Sequence, residues 1–421
     1  MASTLIRERK GSRRPRTVQV RPLLVMASWP VIAFALFQLR WSDLYGAVTW
    51  AGLSFLAIVV VAFGYFGLTL SSGTSAEPGR PTTLGPSLVI AGYFLAAFAA
   101  NGGVPLLMIL RGQPYDIYSF GLPFLHVGML AFSGFYGTRL FADFIKTGSR
   151  AALLQYMLIL FWLVLIASRS AASFLIFSSV IIVLFLKRMT VGRFVAVAAA
   201  LMAFVAGFGI FGSARLGFQI SQSTGQSAAN DAILDYAQAS SEFLATGIPA
   251  SFMWFYLYLS SPVANLMSAV THADVAVCGR TCDLGGLLTY TLVPDVVGVR
   301  VAEQLGYQRF DKEAFLVQRD LTASTTFGSA IGYAGLVGAL SVMVLLLAVS
   351  IYCMHRFDGS DIREVGLALL CTVLFFSFFE NMIAYSALSL QLAIAMVVAR
   401  PKRDRRPAMV VRRSAVGARL S

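Results

Sequence analysis

Long hydrophobic runs recur along this chain from Leu23 to Val398, and a polar stretch of 55 residues, Thr271 to Thr325, interrupts them. The hydrocarbon core of a bilayer is about 30 Å thick and takes roughly 20 apolar residues of helix to cross. Irregular backbone facing lipid would leave its amide groups unpaired, so each run is expected to be helical. Hydrophobic residues make up 57% of the 421 and charged residues only 13%, a balance that sets a soluble domain aside.

The fold class expected is therefore all-α: a polytopic transmembrane helical bundle of about 10 spans, with amino and carboxyl termini cytoplasmic. The spans fall at 23–39, 44–70, 86–110, 120–138, 151–167, 171–186, 194–212, 327–353, 365–379 and 383–399. The organisation that follows is a basic cytoplasmic tail at 1–22, helices 1–7 over 23–212, an extracytoplasmic loop region at 213–326, helices 8–10 over 327–399 and a second basic tail at 400–421. Segment 249–270 is apolar enough to cross, but a crossing there would put the basic carboxyl tail outside. Tyr256, Tyr258, Ser260, Ser261, Pro262 and Asn265 give it a polar, helix-breaking centre, so a re-entrant dip or a helix lying against the bundle is expected. Short surface helices are expected in the loop, because Ile233, Ala237, Ser240 and Leu244 share one helical face and Val297, Val301 and Leu305 another.

The net charge of +13 sits at the two ends. Residues 1–22 carry seven basic groups against Glu8, residues 400–421 carry eight against Asp404, and the remainder is neutral. Basic flanks beside spans hold a terminus on the cytoplasmic side next to anionic lipid, whereas nucleic-acid binding wants them in a groove, so no nucleic-acid partner is expected. With the amino terminus inside, the tails and short inner connections hold 24 basic residues, and the short outer ones hold only Arg40, Arg111 and Arg169.

Arg169 stands between two apolar runs with almost no loop around it. A guanidinium at the outer mouth of two helices is costly unless it snorkels or meets an anion, water or a carboxylate. Its planar fork suits a phosphate or diphosphate, and Arg215, just beyond the seventh span, reaches the same level. His272 ends the re-entrant-like segment, and Glu242, Asp274 or Glu313 can serve as a base in its place if burial raises their proton affinity. His126, within the fourth span, reads as a packing residue. Arg280, Arg300, Arg309, Lys312 and Arg319, mixed with acids such as Asp295 and Asp311, read as a solvated surface with exposed ion pairs. Cys278 and Cys282 leave a disulfide on the outer face open, and their spacing with His272 matches no standard zinc pattern, so no metal is expected. No phosphate loop, dinucleotide fingerprint or HExxH pattern occurs, and no cofactor is expected.

Four stretches in order, ASRSAASFL at Ala167, FYLYLSSPVANL from Phe255 to Leu266, STTFGSAIGYAGLVG from Ser324 to Gly338, and FFEN near the carboxyl end, resemble the Wzy-type oligosaccharide repeat-unit polymerases and the related O-antigen ligases. The resemblance covers roughly residues 150–400. It implies a lipid-linked sugar transferase whose donor and acceptor glycans both ride on polyprenyl diphosphate, flipped beforehand to the outer leaflet. The growing chain would move onto the nonreducing end of a fresh repeat unit. On that resemblance Arg169 and Arg215, with Arg280, Arg300 and Arg319, would bind the departing diphosphate. Tyr256, Tyr258 and Asn265 would line a sugar groove, and His272 or Glu242 would be the base. The implied partners are the lipid-linked glycans, the bilayer, a chain-length regulator and a flippase. The rival readings are a ligase with a different acceptor, a transporter or flippase, and a scaffold of an envelope complex.

Overall fold

The computed structural model describes residues 21–70, 82–111, 120–122, 124–186, 192, 195, 232–276, 283–319 and 321–400. Among these there is no strand, only an isolated antiparallel bridge between Ser42 and Ala239, and the rest is helix and turn. Two helices, α2 (Trp50–Thr69) and a long one at Thr325–Phe357, are long and apolar enough to cross a membrane by length and composition. Beside them stand α1 (Pro22–Phe37), α3 (Gly85–Ala100) with a short continuation α4 (Pro105–Leu110), the 23-residue α5 (Leu125–Thr147), α6 (Arg150–Leu165) and α7 (Arg169–Leu186). In the polar region lie α8 (Ala232–Tyr236), α9 (Ser241–Ala245), α10 (Ser251–Ala276), α11 (Leu284–Leu287) and α12 (Asp295–Leu305). The long Thr325–Phe357 helix is α13, and α14 (Arg363–Phe376) and α15 (Ser386–Val398) close the bundle.

Helix ends sort into two sets. At one, Arg21 donates to the carbonyls of Gly67 at 3.1 Å and Leu68 at 2.6 Å, joining the start of α1 to the end of α2. Lys146 on α5 meets Glu364 on α14 there at 2.9 Å, and Arg356 at the end of α13 donates to the Ala399 carbonyl after α15. This is the basic end. At the other, Phe55 near the start of α2 packs on Phe327 near the start of α13, and the Thr326 N–H donates to the Ser377 carbonyl after α14. Ser170 on α7 and Tyr385 before α15 hydrogen-bond there at 2.9 Å. The polar region gathers at this second, loop end.

The outer faces of the bundle are apolar. On α2, Trp50, Ile58, Val61, Tyr65 and Leu68 are exposed while Phe55, Val59 and Phe63 are buried. The same division puts Leu154, Met157, Phe161 and Val164 of α6, and Val337, Val344 and Tyr352 of α13, on the outside. Trp50 and Tyr65 lie about 22 Å apart along the helix axis, one near each end of the apolar face. Water would not tolerate so extensive a bare apolar surface, whereas lipid matches it.

Several boundaries differ from the expected spans. Helix α2 starts at Trp50, not at residue 44, because the preceding strip runs past the end of α8 and along α10: the Ser42 hydroxyl donates to the Ala237 carbonyl and the Tyr45 hydroxyl meets that of Ser260. The span expected at 86–110 breaks at Asn101–Gly103 before α4 resumes. Helix α5 starts later than expected and runs on to Thr147, where Gly148 at φ 73° ends it in the left-handed conformation. Apart from Val195, the span expected at 194–212 falls outside the described residues. The two carboxyl-terminal spans are separate helices, α14 and α15, with a turn between them. Helix α13 kinks at Ala334 and Gly335, and Gly335 at φ 59°, ψ −156° occupies backbone space that only glycine enters freely.

Of the two forms expected for 249–270, the structure has the helix that lies against the bundle. Ser251–Ala276 is one helix of 26 residues that carries Pro262 without a break. Its partners lie at the loop end: Trp41 and Tyr45 toward its start, Leu321 and Ala323 at its middle, Phe315 near its finish. It lies against the bundle and does not dip in and return. The polar residues expected to break it are satisfied: the Ser260 hydroxyl donates to the Tyr256 carbonyl, and Asn265 bonds to three backbone groups of the neighbouring connection.

Candidate functional site at the loop end

The loop end is built around the segment Tyr307–Phe315. Asp283 caps α11 by accepting the Gly286 N–H at 2.7 Å, and its own N–H donates to the Tyr333 carbonyl on α13. Pro294 then turns the chain into α12, whose first residue is pinned to the turn between α14 and α15: the Asp295 N–H donates to the Ala384 carbonyl at 2.7 Å and the Val296 N–H to the Ser386 hydroxyl at 2.9 Å. Asn381 in the same turn donates to the Thr291 carbonyl. Gly306, at φ 74°, ends α12 and sends the chain back over its own start. The Phe310 N–H donates to the Tyr333 hydroxyl at 2.8 Å, and Asp311 opens the short turn Lys312–Phe315 by accepting the Glu313 N–H.

Two charged groups come together there at 3.1 Å: Lys312 Nζ and Glu380, each about a third exposed. Asp295 shares their field and that of Arg309. Burial pushes its carboxyl up to about 6, Arg309 and Lys312 pull it down, and Glu380 adds to the rise. Behind these groups runs a ladder of rings. Tyr290 lies nearly parallel to Tyr333 at 6.0 Å, Phe310 meets Tyr333 edge-on at 5.9 Å and Phe315 at 4.9 Å, and Phe315 stacks on His272 at 6.3 Å. A carboxylate that changes state near neutral pH, beside two cations and a second acid, can accept a proton while the cations balance negative charge developing on a departing group.

His272 is exposed near the end of α10, and its Nδ1–H donates to the Ser268 carbonyl at 2.8 Å. A carbonyl only accepts, so this bond places the proton on Nδ1 and leaves Nε2 of the neutral ring open as an acceptor. Glu242 does not behave as the raised-affinity base that was expected. It is fully exposed at the start of α9, and hydrogen bonds from its own backbone N–H and from Ser240 hold its carboxylate below the usual range. The two candidates also stand apart. Glu242 precedes Phe243, which packs on Trp41 beside Tyr256, and His272 lies about 24 Å along α10 from Tyr256.

The expected sugar groove is closed by its own packing. Tyr256 is fully buried and its hydroxyl accepts the Trp41 N–H, while Asn265 donates to the Leu321 and Ala323 carbonyls at 2.7 Å and accepts the Val317 N–H at 2.8 Å. Both are structural, holding α10 against the loop end. Tyr258 is exposed beside Trp254. Of the expected arginines, Arg300 lies with its guanidinium 3.4 Å over the Phe124 ring, and Arg319 pairs with Glu313 at 3.3 Å in a solvated contact, 79% and 54% exposed. Arg169 opens α7 at the loop end, where Ala167 adopts φ 55°, and its side chain lies outside the described residues. Arg215 and Arg280 lie outside them altogether, as do Cys278 and Cys282.

Asp295, Arg309, Lys312 and Glu380 were not singled out from sequence, where three of them merged into a balanced run of loop charges. Glu380 carried a usable signal: it stands in a turn of a few residues between two apolar runs, the same reasoning that singles out Arg169. No protein-family model, curated protein or solved structure matches this chain.

Proposed function

We propose that this chain is an integral-membrane glycosyltransferase that polymerises polyprenyl-diphosphate-linked oligosaccharide repeat units into a surface polysaccharide, on the outer face of a bacterial cytoplasmic membrane. The observation that carries the reading is the gathering of Asp295, Arg309, Lys312 and Glu380 at one end of an apolar bundle, within reach of a substrate whose lipid stays in the bilayer. The bundle crosses about ten times. Exposed apolar faces on α2, α6 and α13 and the alternation of helix ends support this, and the chain changes ends between α7 and α8, where the seventh span is expected. Positive flanks put the basic end in the cytoplasm.

In this reading Arg309 and Lys312, with Arg169 and Arg215 as further candidates, balance charge on the departing diphosphate, and a base at the loop end takes the proton of the acceptor hydroxyl. The open Nε2 of His272 gives a second reading, an O-antigen ligase, some weight, since a ligase is expected to depend on an outer histidine. A flippase and a chain-length regulator are the expected partners. A gel of surface polysaccharide from a deletion strain separates the readings. Polymerase loss collapses the ladder to single repeat units, ligase loss leaves long chains unattached to their acceptor, and an unchanged ladder rejects both.

A further inference from the structure

We propose that Asp295 is the general base of the loop end, the residue that accepts the proton of the attacking sugar hydroxyl. This rests on the glycosyl-transfer reading above. Its position is fixed on both sides, because its backbone N–H and that of Val296 are tied to Ala384 and Ser386 in the turn between α14 and α15. The carboxylate itself is held by no hydrogen bond among the described residues. The other half-buried carboxylates at this end are engaged: Asp283 accepts the Gly286 N–H, and Glu380 pairs with Lys312. Glu313 pairs with Arg319, Asp311 accepts the Glu313 N–H, and Glu242 is exposed and bound at the start of its own helix.

The charged groups acting on Asp295 are Arg309 and Lys312, from the segment folded back over α12, and Glu380, from the turn to which α12 is pinned. Arg309 and Lys312 favour its ionised form and Glu380 raises its proton affinity, so the carboxylate is both populated and basic at neutral pH. The step balances as follows. The acceptor O–H proton passes to Asp295, and the oxygen's electron pair bonds to the anomeric carbon of the donor. The bond from that carbon to the diphosphate oxygen breaks, and its electron pair leaves with the polyprenyl diphosphate. Asp295 then returns the proton to water.

The test uses the full chain in proteoliposomes, with lipid-linked repeat units extracted from the deletion strain, and measures chain growth between pH 5 and 8. Wild type should grow chains at a rate that rises as pH passes through about 6, because below that value the base is already protonated. Asp295→Asn should lower the rate at pH 7 by about 100-fold or more, Asp295→Glu should restore part of it, and His272→Ala should keep the rise near pH 6. Asp295→Asn should also melt no lower than wild type at pH 8. Folding raises the proton affinity of Asp295, so its ionisation above pH 6 works against the folded state, and a neutral amide removes that penalty. A rate for Asp295→Asn within threefold of wild type, with the rise near pH 6 retained, overturns the assignment and leaves the polymerase reading standing. A wild type that grows no chains from these lipids overturns both.

Discussion

The two ends of the bundle use charge in opposite ways. At the basic end Arg21 and Arg356 are tied into the frame, donating to carbonyls that close α2 and α15, while Arg363, only 3% exposed, lies 3.3 Å from Asp358 with Nε and Nη2 lacking a hydrogen-bond partner among the described residues. Cations at helix carboxyl ends satisfy orphan carbonyls and oppose the helix dipole. A shallow cleft does open there between Thr82, Arg139, Asp143, Lys146, Asp361 and Glu364. Thr82 donates there to Asp143 at 2.8 Å and Lys146 pairs with Glu364 Oε2, while Glu364 Oε1 is buried without a hydrogen-bond partner among the described residues. At the loop end the ion pair of Lys312 and Glu380 is half-open, and the Asp295 carboxylate has charged neighbours and no hydrogen-bond partner among the described residues. On the proposed function, one end fixes the fold and the other keeps charge available for chemistry.

Exchanging the roles of these charges by mutation separates the ends. The largest effect on activity outside Asp295 is expected at Lys312. Lys312→Met should cut chain growth by about 100-fold while shifting stability by less than about 1 kcal/mol, since exposed pairs contribute little. Chain-growth rate and thermal melting on the same preparation check this, and a protein that melts far lower with normal activity would erase the contrast. The mirror experiment is Lys146→Met, which leaves Glu364 buried without its ion-pair partner. It should cost about 3 kcal/mol and leave activity per folded molecule unchanged. Arg319→Ala should have the smallest effect, within about 0.5 kcal/mol and with unaltered chain length, because its pair with Glu313 is solvated.

Sequence carried the bundle further than it carried the site. Apolar runs mark helices directly because lipid forces backbone pairing within each segment, and α1, α6, α7, α14 and α15 fall close to where the runs place them. Pro262 misled because composition shows the bond a proline removes and not the neighbours that compensate. The Tyr45 and Ser260 hydroxyls and the Asn265 amide stabilise α10 through residues more than 50 positions away in sequence. The motif Ser324–Gly338 was legible as glycine-rich, but its meaning is tertiary. Gly332 lies against the Phe310 ring and Gly335 makes the kink. Asp295 and Glu380 are 85 residues apart and meet only because Asn381, Ala384 and Ser386 stitch their turn to α12, a juxtaposition no local pattern encodes.

On the proposed function the loop end faces outward and the basic end faces the cytoplasm. Single-cysteine proteins made by Arg319→Cys or Arg150→Cys, with the native cysteines replaced by serine, can be treated with a membrane-impermeant maleimide in intact spheroplasts. We expect the cysteine at position 319 to label at once and the one at position 150 to label only after lysis. Labelling at position 150 before lysis, with position 319 protected, would place the charged cluster in the cytoplasm and contradict transfer of glycans already carried across the membrane.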